Sequence, residues 1–465
     1  MIHNFSLKTL AVAITSLSVA SVAGAAGLDR SGQDISAFLQ DGLYAEASYT
    51  YIDGKVTGND NSILGITDEK GNSILDKYNK GNAIDDIAES YDMARYGVKV
   101  DVNDRVSVGI LYDEPFGAAA KYSGDNNFVS GDANALINNL TGGLVPSLGA
   151  VKPTIAALTQ QAQNATSVEE ANILKQKIKD LTLAGATAAG VAATAGEGTN
   201  VEVRSENITG LIGVKLNDNF QIYGGPAIQR LNADVALRGP AYLTAAGYDA
   251  HISSGDGYGW VAGAAFSKPE IALKAALTYR SEIDHENNID ETMPGAGTRR
   301  GSKIDITTPE SVNFDFQTGV NPTTLATAKI RYVPWSKFEI VPPLYNESSK
   351  ALYPEGLALV GYDDDQWQVE LGLAKRVAPN LAVSGNIGWD SGAGNPTTSL
   401  GPIEGYYSVG AGAKFDLDKN WAISAGGKYL MFGDANGSLP NRKVVSNFED
   451  NDGYVVGVKL SYQEK

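Results

Sequence analysis

What most constrains this chain is a two-residue rhythm that recurs in segments of about ten residues. In IALKAALTYRSEID (residues 271–284), Ile271, Leu273, Ala275, Leu277 and Tyr279 share one side with Ser281 and Ile283. Lys274, Thr278, Arg280, Glu282 and Asp284 share the other. Successive side chains of a strand point to opposite faces, so this order describes a ribbon with one apolar and one polar face. The same rhythm runs through WQVELGLAKRV from Trp367, LAVSGNIGWD from Leu381, YYSVGAGAKFDL from Tyr406, WAISAGGKYLM from Trp421 and YVVGVKLSY from Tyr454. Rings stand at the ends of the apolar faces. That bracketing suits a hydrocarbon layer with two polar boundaries better than the core of a soluble sandwich.

A strand in hydrocarbon needs partners on both edges, because no water is present to satisfy its backbone. The expectation is therefore a closed all-β barrel. The connections agree. VNDR (102–105), NDN (217–219), KPE (268–270), NPTT (321–324), APN (378–380) and DKN (418–420) are tight turns. Longer polar loops fall at 56–90, 114–200, 239–256, 285–302, 341–365, 391–404 and 434–452. Short turns on one side and long loops on the other separate fourteen antiparallel transmembrane strands, from about Tyr44 to about Tyr462. Fourteen strands enclose a lumen too wide for wall side chains to fill, so it is plugged or open.

The N-terminus reads as an export signal. Lys8 precedes the apolar run Leu10–Ala25, which ends in Ala23-Gly24-Ala25, so residues 1–25 are expected to be cleaved after Ala25. The expected location is the outer membrane, among outer-membrane lipid and lipopolysaccharide. The barrel is expected to be monomeric.

Composition excludes several classes. A formal charge of −17 argues against nucleic acid. The absence of cysteine removes disulfides, thiolate catalysis and cysteine-based zinc sites. Beyond the leader only His251 and His285 remain, with no G-x-S-x-G motif, so no catalytic residue, cofactor or metal is expected. The acidic runs Asp363-Asp364-Asp365 and Glu449-Asp450-Asn451-Asp452 read as solvated loop tips.

The stretches LTYRSEI (277–283) and TTPESVNFDFQTGVNPTTLATAKIRYVPWSKF (307–338), with Pro309-Glu310, Pro322 and Trp335-Ser336, resemble the FadL-type outer-membrane transporters of long-chain fatty acids and other hydrophobic compounds. VNDRVSVGILYDEPFG (102–117) agrees with them. The resemblance implies passive uptake: capture by extracellular loops, a tighter site in the lumen, and lateral release through the wall after movement of an N-terminal hatch. The hatch would be residues 26–43, packing through Ile35, Phe38 and Leu39, with the barrel at 44–465. This segment is shorter than the family norm and lacks the expected Asn-Pro-Ala. An inward kink of the third strand would use Gly109, Pro115 and Gly117, since proline removes a ladder donor.

A fatty acid also needs a cation. Alternation turns Arg280 and Arg331 inward, and a bulge at Gly224-Gly225-Pro226 would bring Arg230 in as well. Lys337 lies near the position of the family's carboxylate-binding lysine. The 114–200 loop reads as helical, a long insertion on the extracellular side. Its Leu136, Ile137, Leu140, Leu144, Val145, Leu148 and Ile155 form either a capture groove or the core of a self-packed cap. The alternative reading of the whole chain is a porin-like barrel for small polar solutes, or a structural or adhesive barrel.

Overall fold

In the computed structural model, which describes residues 28–65 and 72–464, fourteen antiparallel strands close on themselves. The expected signal segment, residues 1–25, lies outside the described residues. The wall strands are β1 (Tyr44–Lys55), β2 (Tyr91–Asp101), β3 (Val106–Asp113, then Gly117–Lys121), β4 (Asn200–Lys215) and β5 (Phe220–Leu237). They continue as β6 (Tyr248–Lys268), β7 (Leu273–Arg280, then Ile283–Met293), β8 (Gly297–Thr308, then Ser311–Asn321) and β9 (Thr324–Val333). The last five are β10 (Gln366–Ala378), β11 (Leu381–Asp390), β12 (Tyr406–Asp416), β13 (Trp421–Phe432) and β14 (Asp452–Gln463). β1 pairs with β2 on one edge and with β14 on the other, which closes the cylinder.

The outer face is apolar. Leu277, Ile387, Val409 and Val458 stand bare on it, about half exposed each. Two aromatic belts bracket this band. Trp260–Tyr279 and Tyr332–Trp367 pack at 5.1 and 4.8 Å on the extracellular side. Phe220–Phe266 and Trp421–Tyr462 pack at 4.8 and 5.1 Å on the periplasmic side. Rings at both boundaries fix the depth of the barrel in the bilayer.

Two expectations change. Residues 285–302 are a continuation of the β7–β8 hairpin above the membrane, not a loop. The break at Ser281-Glu282 also shifts the phase of β7. Arg280 faces in, and so do Ile283 and His285, while Glu282 is exposed. Alternation read straight through a break assigns the wrong side to everything after it.

Three helices, α1 (Ala133–Leu140), α2 (Val151–Gln163) and α3 (Val168–Ala193), rise from the β3–β4 connection. Asp132 caps α1 by accepting from the N–H of Asn134 and Ala135, and Ser167 caps α3 through Glu170. Short strands Gly58–Asn61, Lys80–Ile84, Thr397–Thr398, Ala435–Ser438 and Val444–Phe448 form a separate sheet over the mouth.

Candidate functional site: lumen, plug and wall break

Residues 28–43 lie inside the barrel. Ile35 and Phe38 are fully buried and Leu39 nearly so, in a cluster with Leu111, Leu211, Tyr223 and Val261 of the wall. The Phe38 and Tyr223 rings are 5.7 Å apart. A Cβ on Gly109 would stand 2.8 Å from Phe38, and one on Gly97 the same distance from the Ala37 Cβ. The wall is thus made of glycine where the segment presses against it. Gly109 serves that contact rather than a kink.

Charge holds the segment in register. Arg331 donates to both oxygens of Asp29, at 2.7 and 2.9 Å, and also to Asn313 and Gln33. Such a bidentate pair is geometrically specific. Lys329 donates to Asp34 at 2.7 Å, Arg280 to the Gln33 carbonyl at 3.1 Å, and Lys274 to the Leu39 carbonyl. Ser31 donates to Asp113, and Ser311 to Gln33.

These contacts correct the expected carboxylate site. Arg331 and Arg280 do face the lumen, but the N-terminal segment occupies them. Arg230 is outside. Along β5 the residues Tyr223, Ala227, Gln229 and Leu231 are buried, and Ile228 and Arg230 are exposed. The β4–β5 register runs unbroken past Gly224-Gly225-Pro226, so no bulge turns Arg230 inward. The bulge lies further on, between Leu231 and Ala233 on the β6 side. Arg230 instead pairs with Asp256 at 2.8 Å on the outer face. Lys337 sits in a short turn at the rim, 71% exposed, 3.4 Å from Glu310.

The third strand does break. β3 follows β2 only from Ser107 to Tyr112, so among the described residues Tyr91–Arg95 of β2 have no ladder partner on that side. Upper β3 pairs with β4 alone, apart from a bridge between Ala88 and Ala120. Pro115 stands at the break and Gly117 restarts the strand. The free edge is taken up from inside: Arg30 N–H donates to the Pro115 carbonyl and Gly117 N–H to the Leu28 carbonyl, both at 2.8 Å. A window in the wall is therefore covered by residues 28–31. Glu114 crosses it, accepting from the Tyr91 hydroxyl at 2.7 Å and from the Ala94 N–H at 3.1 Å.

Behind the window lies a small apolar chamber. Leu28, Val56, Ile87, Ala118, Ala120, Val201, Val203, Ala233, Ile252, Ile340, Leu359 and Ile403 are among its walls, and no charged side chain is. One lining residue, Tyr362, belongs to an aromatic cluster. Trp335 is fully buried, edge-on to Phe116 at 5.6 Å and to Tyr362 at 5.5 Å. A separate space with charged side chains lies against β7 to β13, its lining including Asp315, Lys329, Glu370, Asn386 and Lys428.

The helical loop offers no open groove. Ile137 and Val145 are fully buried in a cluster with Val151, Leu158 and Leu181, and Leu136, Leu140, Leu148 and Ile155 pack against it. Only Leu144 of the seven expected groove residues is exposed. The self-packed cap is the arrangement realised. It rests on the rim through α3, whose Gly190 lies so close to the Ala246 carbonyl that a Cβ would collide. Asp60 of the mouth sheet ties in the base of the cap, accepting from the Asn127 and Asn82 backbone N–H groups. Burial raises its carboxyl above the ordinary range, and those two N–H groups oppose the shift.

A closed wall with an apolar band, a lumenal plug, a dry chamber and a window defines an outer-membrane transport barrel. The comparisons place it more closely. The family model of outer membrane transport proteins (OMPP1/FadL/TodX) matches residues 187–463. The chain belongs to that family, and its location is the outer membrane. No curated protein sequence matches the chain. Solved structures share the fold at low identity. A FadL homologue of Pseudomonas aeruginosa superposes with a TM-score of 0.60 at 14% identity, over 95% of this chain and 96% of that one. The toluene transporter TodX of Pseudomonas putida gives 0.50 at 9%, over 94% and 96%. The toluene transporter TbuX of Ralstonia pickettii gives 0.50 at 9%, over 92% and 90%.

Sequence reading missed Arg30, Tyr91 and Glu114. The one signal was Pro115, which marked the break but not what covers it.

Proposed function

We propose that this barrel takes up small hydrophobic molecules, long-chain fatty acids or aromatic hydrocarbons, and releases them sideways into the outer leaflet. The observation that carries the reading is the chamber: an apolar space with no charged lining, directly behind a break in the wall. An apolar molecule entering it recovers about 0.8 kcal/mol per buried CH₂. Leaving through the window keeps that gain, because the next environment is lipid; an aqueous exit would forfeit it. The N-terminal segment, residues 26–43, is the hatch, and its first turns cover the window. Proteins of similar solved structure include toluene transporters and a monoaromatic hydrocarbon channel, which supports the substrate class.

The test locks the window. The Ala88–Ala120 bridge spans its upper end, and the chain has no cysteine of its own. In A88C/A120C, oxidation is expected to stop uptake of labelled oleate or toluene by cells, and reduction to restore it. Uptake that ignores the oxidation state would sink lateral release. Uptake of a polar sugar of similar size, blocked by neither state, would favour the porin reading.

A further inference from the structure

The group that the uptake route leaves unexplained is Arg30. It is completely buried, and none of its three guanidinium nitrogens has a hydrogen-bond acceptor. Its only close partner is the face of the Tyr91 ring, 3.6 Å from the guanidinium carbon. A guanidinium carries five N–H donors in its plane, and a ring face beneath that plane satisfies none of them. A buried charge with unsatisfied donors is costly unless something supplies an acceptor. The nearby acids are committed elsewhere. Glu114 accepts from Tyr91 and Ala94, Glu202 is paired with Arg204 at 2.5 Å, and Asp29 is paired with Arg331. Arg204 itself is 5.6 Å from the same ring, adding a second positive charge.

Its position is as informative as its lack of partners. Arg30 lies on the segment that covers the window, its Nε 2.8 Å from where a Cβ of Gly117 would stand. Only glycine at 117 leaves that space. Leu28, two residues before it, and Ala118, next to Gly117, both line the apolar chamber. The guanidinium therefore sits behind the covered window, beside residues that line the chamber but not itself part of the lining.

We infer that Arg30 is an anion subsite on the exit route, receiving one oxyanion carried on an apolar body whose tail lies in the chamber. This rests on the uptake reading above and sharpens it. The chamber alone disfavours a charged head group, and Arg30 offsets that cost for an oxyanion. A carboxylate in the guanidinium fork draws Arg30 off Tyr91, so that binding loosens the segment over the window. The oxyanion has two sources, a carboxylate arriving from outside or a lipid phosphate entering from the leaflet.

The experiment uses the native protein in nanodiscs and equilibrium dialysis of decanoate, decyl phosphate and the neutral 1-decanol. R30M keeps the apolar stem and removes the charge, and R30K keeps the charge and loses the fork. Expected is a loss of tenfold or more in decanoate affinity in R30M, a smaller loss in R30K, and decanol affinity unchanged within threefold. The same pattern with decyl phosphate in place of decanoate supports the subsite and assigns its source to the lipid. Decanoate affinity unchanged in R30M overturns the assignment while leaving the chamber reading intact. An equal fall for decanoate and decanol overturns it too, since Arg30 would then be structural. Failure of the native protein to bind any of the three overturns the uptake reading itself.

Discussion

Two parts of this molecule are not barrel, and they are held in opposite ways. The cap formed by α1 to α3 carries its own apolar core, with Ile137, Val145 and Leu181 buried among themselves, and meets the rim along one helix. The lumenal segment from residue 28 to 43 has no core of its own. It contributes four apolar residues, Ile35, Ala37, Phe38 and Leu39, to the wall's cluster and is otherwise held by ion pairs and hydrogen bonds to Asp113, Arg280, Ser311, Asn313, Lys329 and Arg331. A self-packed unit stays folded wherever it is carried. A segment held by polar contacts to a wet lumen exchanges them for water at modest net cost, since a hydrogen bond contributes only about 0.5–1.5 kcal/mol net. The cap is thus held by its own core, and the plug by its contacts with the wall.

The largest effect expected from breaking this contrast is at Arg331. In R331M the Asp29 carboxylate, fully buried, loses its bidentate partner. Removing one member of a buried pair costs about 3–5 kcal/mol. All of it falls on plug docking, because the wall ladder of β9 does not depend on that side chain. The expected outcome is a barrel that still resists heat in detergent, with the N-terminal residues newly open to protease and a higher conductance in planar bilayers. Unchanged protection of residues 28–43 would show that the apolar anchors alone hold the plug.

The contrast also explains what the sequence showed in advance. Wall strands were legible because lipid imposes one rule on the outward residues, so the alternation recurs from strand to strand between Trp367 and Tyr462. Rules of phase fail at breaks, which is why Glu282 falls on the wrong side, whereas Arg230 was turned inward by an expected bulge that the β4–β5 register does not contain. The cap's heptad-like spacing fixed that it was helical, but not whether its apolar face met a ligand or another helix, because both bury the same residues. The plug's polar contacts were illegible for a different reason. Asp29 meets Arg331 across 302 positions of sequence, and no local pattern encodes such a pair.

A second, smaller break is made in the cap. I137A empties part of a fully buried site, where such a truncation costs about 2–5 kcal/mol. The cost is shared by three helices, so α1 is expected to fray while the barrel and plug keep their protection against hydrogen exchange. Uptake is expected to fall less than twofold, since no residue of this core lines the chamber. A loss of uptake as deep as that caused by locking the window would return the cap to the role of a capture groove.

The smallest effect is expected at the two cations once assigned to the lumen. Arg230 and Lys337 make ion pairs with Asp256 and Glu310 in exposed positions, where a pair contributes about 0–1 kcal/mol. R230M and K337M are therefore expected to leave heat stability, plug protection and decanoate affinity where they are in the native protein. Any carboxylate preference is expected to stay with Arg30, inside the wall and beside the window. Both variants bear on the comparison because they remove charge of the same sign without touching plug or chamber. A drop in decanoate affinity in K337M alone, with decanol unaffected, would move head-group recognition to the rim and make capture, rather than exit, the step at which charge is read.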